Sequence, residues 1–195
     1  MDRRSSGGSL FATRDASLSG VRILEPRLLD DSRGRLQKII HSGAFTELGL
    51  PAAFEELFVT WSAPKVVRGL HFQTPPSDQG KLVTCLTGAV FDVVVDIRRG
   101  SPTYGRHDHL ELDARRGTIV FIPPGFAHGF AVVGDGALML YATTVAFDPS
   151  CDAGVRWNSA GVEWPYAQPV LSPRDRALPP LADFVSPFPH KADEV

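Results

Sequence analysis

The chain has 195 residues, 43% hydrophobic and 22% charged, with a formal net charge of −2, which fits one compact domain with a substantial core. Its 20 Lys+Arg are interspersed with 22 Asp+Glu, a balance that excludes a broad basic footprint for nucleic acid or an anionic membrane. Cys85 sits in an apolar run and Cys151 in a polar one, with neither metal spacing nor a disulfide framework, so a reduced, cytoplasmic setting is expected. The N-terminal stretch lacks the apolar core of a signal peptide, and no window reaches transmembrane length.

In chain order, residues 1–20 are expected to be a flexible lead-in, residues 21–182 the domain and residues 183–195 a tail. Short apolar runs punctuated by 16 prolines and 18 glycines are the pattern of an all-β sandwich or barrel. Strands are expected at residues 21–24, 35–40, 57–60 and 66–72, with one short helix at 43–48 ended by Gly49 and Pro51. From Lys81 the run KLVTCLTGAVFDVVVDIRRGSP reads as a strand, a Thr-Gly turn and a second strand. In that second strand Phe91, Val93, Val95 and Ile97 share one face, while Val90, Asp92, Val94 and Asp96 form a mixed face suited to a cavity wall. Further strands are expected at 107–112, 117–122, 129–133 and 137–146. From Asp148 onward the chain is proline-rich and should wrap over the sandwich.

The chemistry-bearing residues concentrate in Arg68-Gly-Leu-His71-Phe-Gln73, in Gly80-Lys81-Leu82 and in Pro123-Pro-Gly-Phe-Ala-His128-Gly-Phe130. Two histidines, an arginine and a lysine in turn-bounded strands can bind an anion, take a proton from carbon beside a ketone and stabilise the resulting enolate. Each residue has a plainer reading. A histidine in an apolar strand is commonly a hydrogen-bonded core residue, and a lysine at a strand entry is commonly solvated. A catalytic histidine further needs a partner on its other nitrogen, and spacing alone does not choose among the carboxylates. On a regular strand Arg68 faces away from His71, and Gln73 shares the face of His71.

Residues 117–128 also match the second cupin motif in glycine, proline and histidine spacing. Gln73 stands where a metal cupin has the second histidine of its HxH pair, so the motif offers no nitrogen-rich metal site. His107 and His109 form an HxH in a charged run and read as surface histidines.

Taken together, DSRGR (31–35), VVRGLHFQ (66–73), QGKL (79–82), GAVFDVVVDIRRGSPTYG (88–105), IPPGFAHGF (122–130), GVRWN (154–158), VEWP (162–165) and LSPRDRALPPL (171–181) resemble the dTDP-4-dehydrorhamnose 3,5-epimerase family. The likeness implies a cupin jelly-roll homodimer without metal or other cofactor. It implies a nucleotide-sugar substrate, a dTDP-linked 4-keto-6-deoxy sugar, and no nucleic-acid or membrane partner. It puts the general base on His71, its carboxylate partner on Asp175, and Lys81 near the C4 oxygen. Arg68, Gln73 and His128 are the implied substrate-binding residues within the pocket, and Arg33 the one contributed near the nucleotide across the dimer.

The chain departs from the pattern at three places. The acid tyrosine of the family aligns with Ala146, and Tyr141, an odd number of positions away, faces the wrong side of an unbroken strand. Lys38 replaces a glutamate near the nucleoside, and Thr60-Trp61-Ser62 replaces a segment with glutamine and asparagine. The expected activity is epimerisation at C3, C5 or both with an altered acid. A redirected or non-catalytic nucleotide-sugar binder is the alternative, and a metal-dependent cupin is disfavoured by Gln73.

Overall fold

The computed structural model describes residues 9–190. Eleven strands form the bulk of it: β1 (Phe11–Asp15), β2 (Arg22–Pro26), β3 (Leu29–Asp31), β4 (Gly34–Leu36), β5 (Glu56–Ser62), β6 (Val67–Gln73), β7 (Lys81–Asp96), β8 (His107–Asp113), β9 (Ile119–Ile122), β10 (Phe126–Thr143) and β11 (Asp152–Gly154). Helix α1 (Ser42–Glu47) precedes β5, and α2 (Pro173–Ala177) follows the long loop after β11.

Two long strands organise the fold. The first part of β7 pairs with β9 and with the last part of β10, whereas its second part pairs with β8 and with the first part of β10. One layer is therefore β1-β2-β9-β7-β10-β5, and the other is β8-β7-β10-β6-β11. β7 and β10 run through both layers. The expected Thr87-Gly88 turn is instead a bend inside β7. Gly88 has φ +81°, and a Cβ there would lie 2.0 Å from the Gly136 carbonyl oxygen, so only glycine lets the strands cross between layers. The result is a cupin-like β-sandwich.

Three apolar clusters follow from the alternation along these strands. Val83, Val90, Val94, Phe130 and Met139 pack between the layers. Leu82, Ile119 and Phe121 face outward under Phe11 and the α1 residue Phe45. Val93, Val95 and Ile97 also face outward, and Leu181, Phe184 and Phe188 cover them. Three boundary expectations change, and residues 1–8 of the expected lead-in and 191–195 of the expected tail lie outside the described residues. Phe11–Asp15 form a strand against β2 rather than a flexible lead-in, because Phe11 is buried against Phe45. The tail is anchored as far as residue 190: Phe188 packs on Phe72, and His190 N–H donates to the Arg99 carbonyl. The strand expected at 35–40 stops at Leu36, and β3–β4 stand apart as a two-stranded ribbon.

Among the described residues no helix is long and apolar enough to cross a membrane. Cys85 and Cys151 are both free and buried.

Candidate active site

β6 carries two of the expected residues to one place by breaking its own alternation. His71 pairs across to His128 of β10, but Arg68 pairs with Phe130, with an irregularity between the two registers. The break falls at Gly69, where φ is +122° and a Cβ would meet Gly129 Cα at 2.6 Å. One step of the pleat is lost there, so Arg68 and His71 line the same cavity instead of facing apart.

That cavity has a volume of about 180 Å³ and is walled by Phe58, Thr60, Arg68, His71, Gln79, Lys81, His128, Gly129, Phe130 and Tyr141. A larger hollow of about 500 Å³ near Asp15, Arg22 and Phe121 contains none of the expected site residues. Convergent titratable groups, rather than size, single out the smaller one.

His71 Nε2 lies 2.6 Å from Asp175 Oδ1. Asp175 is buried in α2, where its N–H is capped by Ser172 Oγ at 3.0 Å. Arg174 ties the same turn to Asp152 of β11 at 2.7 Å. Burial pushes Asp175 up, but the His71 hydrogen bond and the charges around it outweigh burial and hold the carboxyl below its ordinary value. An ionised carboxylate only accepts, so His71 Nε2 carries the proton and Nδ1 keeps the lone pair. Burial lowers the His71 pKa, and Asp175 opposes that shift without cancelling it. The imidazole is thus neutral near pH 7, with a lone pair free to take a proton.

Lys81 opens β7, and its Nζ donates to the His71 carbonyl oxygen at 3.2 Å. Burial drives its pKa down to about 8, with Asp152 opposing and Arg174 reinforcing the shift. His128 Nε2 is 2.8 Å from Asp92 Oδ2, and both residues are buried. The mixed face of β7 thus supplies the carboxylate behind the wall. Arg68 is oriented by Ser62 Oγ at 2.9 Å and the Trp61 carbonyl at 3.2 Å.

Two expected binding residues lie outside this cavity: Gln73, which was expected in it, and Arg33, which was expected to act across a dimer. The Gln73 amide donates to the Ser77 carbonyl at 2.7 Å and accepts from Asp148 N–H at 2.7 Å. Its two ends are consumed in tying the β6–β7 loop to the loop after β10, and it is absent from the cavity wall. Arg33 sits at the β3–β4 turn, bonded to Asp31 at 2.6 Å, in a separate shallow groove with Leu29 and Leu36.

Tyr141 corrects the expectation about which way its side chain faces. β10 ends at Thr143, so alternation cannot be carried to Ala146, which is exposed in the following loop. Tyr141 lines the cavity itself, stacked on its cross-strand partner Phe58 at 4.9 Å and 8°. Burial, followed by the Asp92 carboxylate, raises its pKa well above the ordinary phenol value, which keeps the hydroxyl protonated. The signal in the sequence was its place in a strand that also carries His128. The strand end concealed it.

Elsewhere, His107 and His109 lie in a shallow hollow with Phe91 and Glu163. Among the described residues no group of three or more His, Cys, Asp or Glu side chains is placed to hold a metal ion.

A family model for dTDP-4-dehydrorhamnose 3,5-epimerase matches residues 15–183. The dTDP-4-dehydrorhamnose 3,5-epimerase of Salmonella typhimurium is 41% identical over 169 residues, covering 85% of this chain and 92% of that protein. The crystal structure of a dTDP-6-deoxy-D-glucose-3,5-epimerase from Legionella pneumophila, solved with dTDP-4-keto-L-rhamnose, superposes with a TM-score of 0.89 at 32% identity. The match covers 93% of this chain and all of that one. A 3'-monoepimerase from Streptomyces bikiniensis, solved with dTDP, superposes with a TM-score of 0.82 at 31% identity over 86% of each chain. That protein is a double variant in which a histidine is changed to asparagine and a tyrosine 70 residues later to phenylalanine. The fold, the His71–Asp175 pair in its cavity and these likenesses together assign the chain to the dTDP-4-dehydrorhamnose 3,5-epimerase family of carbohydrate epimerases.

Proposed function

We propose that the chain inverts a carbon next to the ketone of a nucleoside-diphosphate 4-keto-6-deoxy sugar, with His71 as base and Tyr141 as acid. The observation that carries this reading is the His71–Asp175 pair opening into a cavity that also holds Lys81 and Tyr141. The ketone acidifies the hydrogens at C3 and C5. His71 Nδ1 takes one of them, and the C–H electron pair moves into an enolate whose oxygen accepts from the Lys81 ammonium. Tyr141 then gives its hydroxyl proton to the same carbon from the opposite face, which completes the inversion. Solvent returns the phenolate and the imidazolium to their starting states.

His71 and Tyr141 stand the same 70 residues apart as the histidine and tyrosine altered in the Streptomyces bikiniensis protein, which supports pairing them as base and acid. Tyr141 on the wall answers the lack of an acid at Ala146, one of the two features behind the non-catalytic alternative; the other, the altered Lys38 and Thr60–Ser62 positions, bears on nucleoside binding and not on proton transfer. A cavity of about 180 Å³ suits the sugar and leaves the nucleotide outside it. Arg68 and His128 are assigned to the sugar and its pyrophosphate. The legacy of the dTDP-linked relatives favours dTDP as the carrier.

In this reading a second copy of the chain completes the site. The edge strand β5 exposes Leu57, Val59 and Trp61, the last to 65%, and the β3–β4 ribbon exposes Leu29 and Leu36. An apolar sheet edge of this kind is usually covered. A homodimer would cover it and let Arg33 of one copy reach the nucleotide held by the other. The test is proton NMR in heavy water with a panel of 4-keto-6-deoxy nucleotide sugars. Loss of the C3 or C5 signal with appearance of the epimer is expected; no exchange with any member of the panel would refute the reading.

A further inference from the structure

Gln79 is a wall residue that the reaction chemistry leaves unused. Its Oε1 is buried and has no hydrogen-bond partner among the described residues, and it lines the cavity with His71, Lys81 and Tyr141. A buried acceptor without a donor is costly and uncommon; where it borders a cavity, it points to what the cavity takes in.

The backbone beside it is fixed. Gly80 N–H donates to Thr144 Oγ1 at 2.8 Å, and Thr144 N–H donates back to the Gly80 carbonyl at 3.0 Å. A Cβ on Gly80 would lie 3.1 Å from the Phe121 ring, so this turn is also closely packed. Gln79 therefore meets a ligand from a set position.

Donor and acceptor chemistry selects the group it meets. In a 4-keto-6-deoxy sugar the ketone and ring oxygens only accept, the C6 methyl does neither, and the hydroxyls donate. Arg68 and Lys81 can serve the accepting atoms, but an acceptor on the wall needs a hydroxyl. Lys81, two residues after Gln79, is assigned to the C4 oxygen. Of the two carbons adjoining C4, C3 bears a hydroxyl and C5 bears the methyl. We propose that Gln79 accepts a hydrogen bond from the 3-hydroxyl of the sugar, and so fixes which way round the ring lies and selects sugars with a donor at C3. The inference rests on the assignment of a 4-keto-6-deoxy sugar to this cavity.

The experiment compares a 4-keto-6-deoxy nucleotide sugar with its 3-deoxy analogue in two ways. Binding is measured by calorimetry on a His71→Asn background, which prevents turnover, and deuterium exchange at C5 is measured with His71 intact. The protein with Gln79 should prefer the hydroxylated sugar by about 10- to 100-fold. Gln79→Leu should remove that preference by weakening only the hydroxylated sugar, and Gln79→Glu, which keeps an acceptor oxygen, should retain most of it. A preference that survives intact in Gln79→Leu, or equal weakening of both sugars there, overturns the contact. A Gln79-dependent binding preference without any exchange supports the contact and refutes the reaction, so the two claims fail separately.

Discussion

His71 and His128 face each other across adjacent strands β6 and β10, and each places Nε2 on a different aspartate, Asp175 at 2.6 Å and Asp92 at 2.8 Å. The two pairs differ in access. The His71 side chain is 27% exposed, against 4% for His128. Only His71 combines a fixed tautomer with room for a substrate carbon, which is why the base is assigned there and His128 to the wall.

Replacing His71 by Ala should therefore abolish solvent exchange at the sugar carbon, a loss of roughly 10²–10⁴-fold for a missing general base. Asp175→Asn should lower exchange while leaving nucleotide-sugar binding nearly unchanged, since Asp175 is buried behind the imidazole. Exchange rates by NMR and binding by calorimetry check the two effects. Undiminished exchange in His71→Ala would remove the base from the mechanism.

The pH profile should be bell-shaped. Burial holds His71 below its ordinary 6.5, so the rate should fall as acid protonates the base below that value. Lys81 titrates at about 8, so the rate should also fall as its ammonium is lost above that pH. Lys81→Met should flatten the alkaline limb and lower the rate by about 10²–10³-fold. The same lysine costs stability. Its folded pKa lies below the unfolded 10.5, so the unfolded chain binds more protons between about 8 and 10.5 and stability rises with pH across that window. At pH 7 Lys81→Met should therefore be more stable, by roughly 1–3 kcal/mol. Denaturation midpoints at pH 7 and pH 10 would show whether the gain shrinks as predicted.

Assembly is tested at Trp61, 65% exposed on the β5 edge. Trp61→Glu should shift a dimer toward monomer in sedimentation velocity without unfolding the chain, because the indole is not part of the core. A monomeric unmutated protein at micromolar concentration would contradict the proposed interface.

The sandwich was legible because apolar alternation and glycine-proline punctuation depend on local sequence. His71, Lys81, Arg68 and His128 were legible as chemistry, but their convergence was not. Arg68 joins His71 only because the pleat slips at Gly69, and a slip of one residue reverses every later face. Gln73 kept the expected parity yet spends its amide on the Ser77 carbonyl and on Asp148 N–H, the second a long-range contact that spacing does not reveal. Asp175 lies 104 residues from His71, so only the resemblance suggested it. Tyr141 was misplaced because the parity argument extended β10 past its end at Thr143.

Tyr141→Phe in heavy water shows whether the phenol delivers the second proton, with the C3 and C5 proton signals and the epimer followed in one NMR time course. Phenylalanine preserves the stack on Phe58 and removes only the hydroxyl. If Tyr141 supplies the proton to the face opposite His71, deuterium exchange should persist within about tenfold of the unmutated rate while inversion falls by roughly 10²-fold or more. Ala146→Tyr, out in the exposed loop, should leave both unchanged. Inversion at an undiminished rate in Tyr141→Phe would contradict the account and move the acid to another residue.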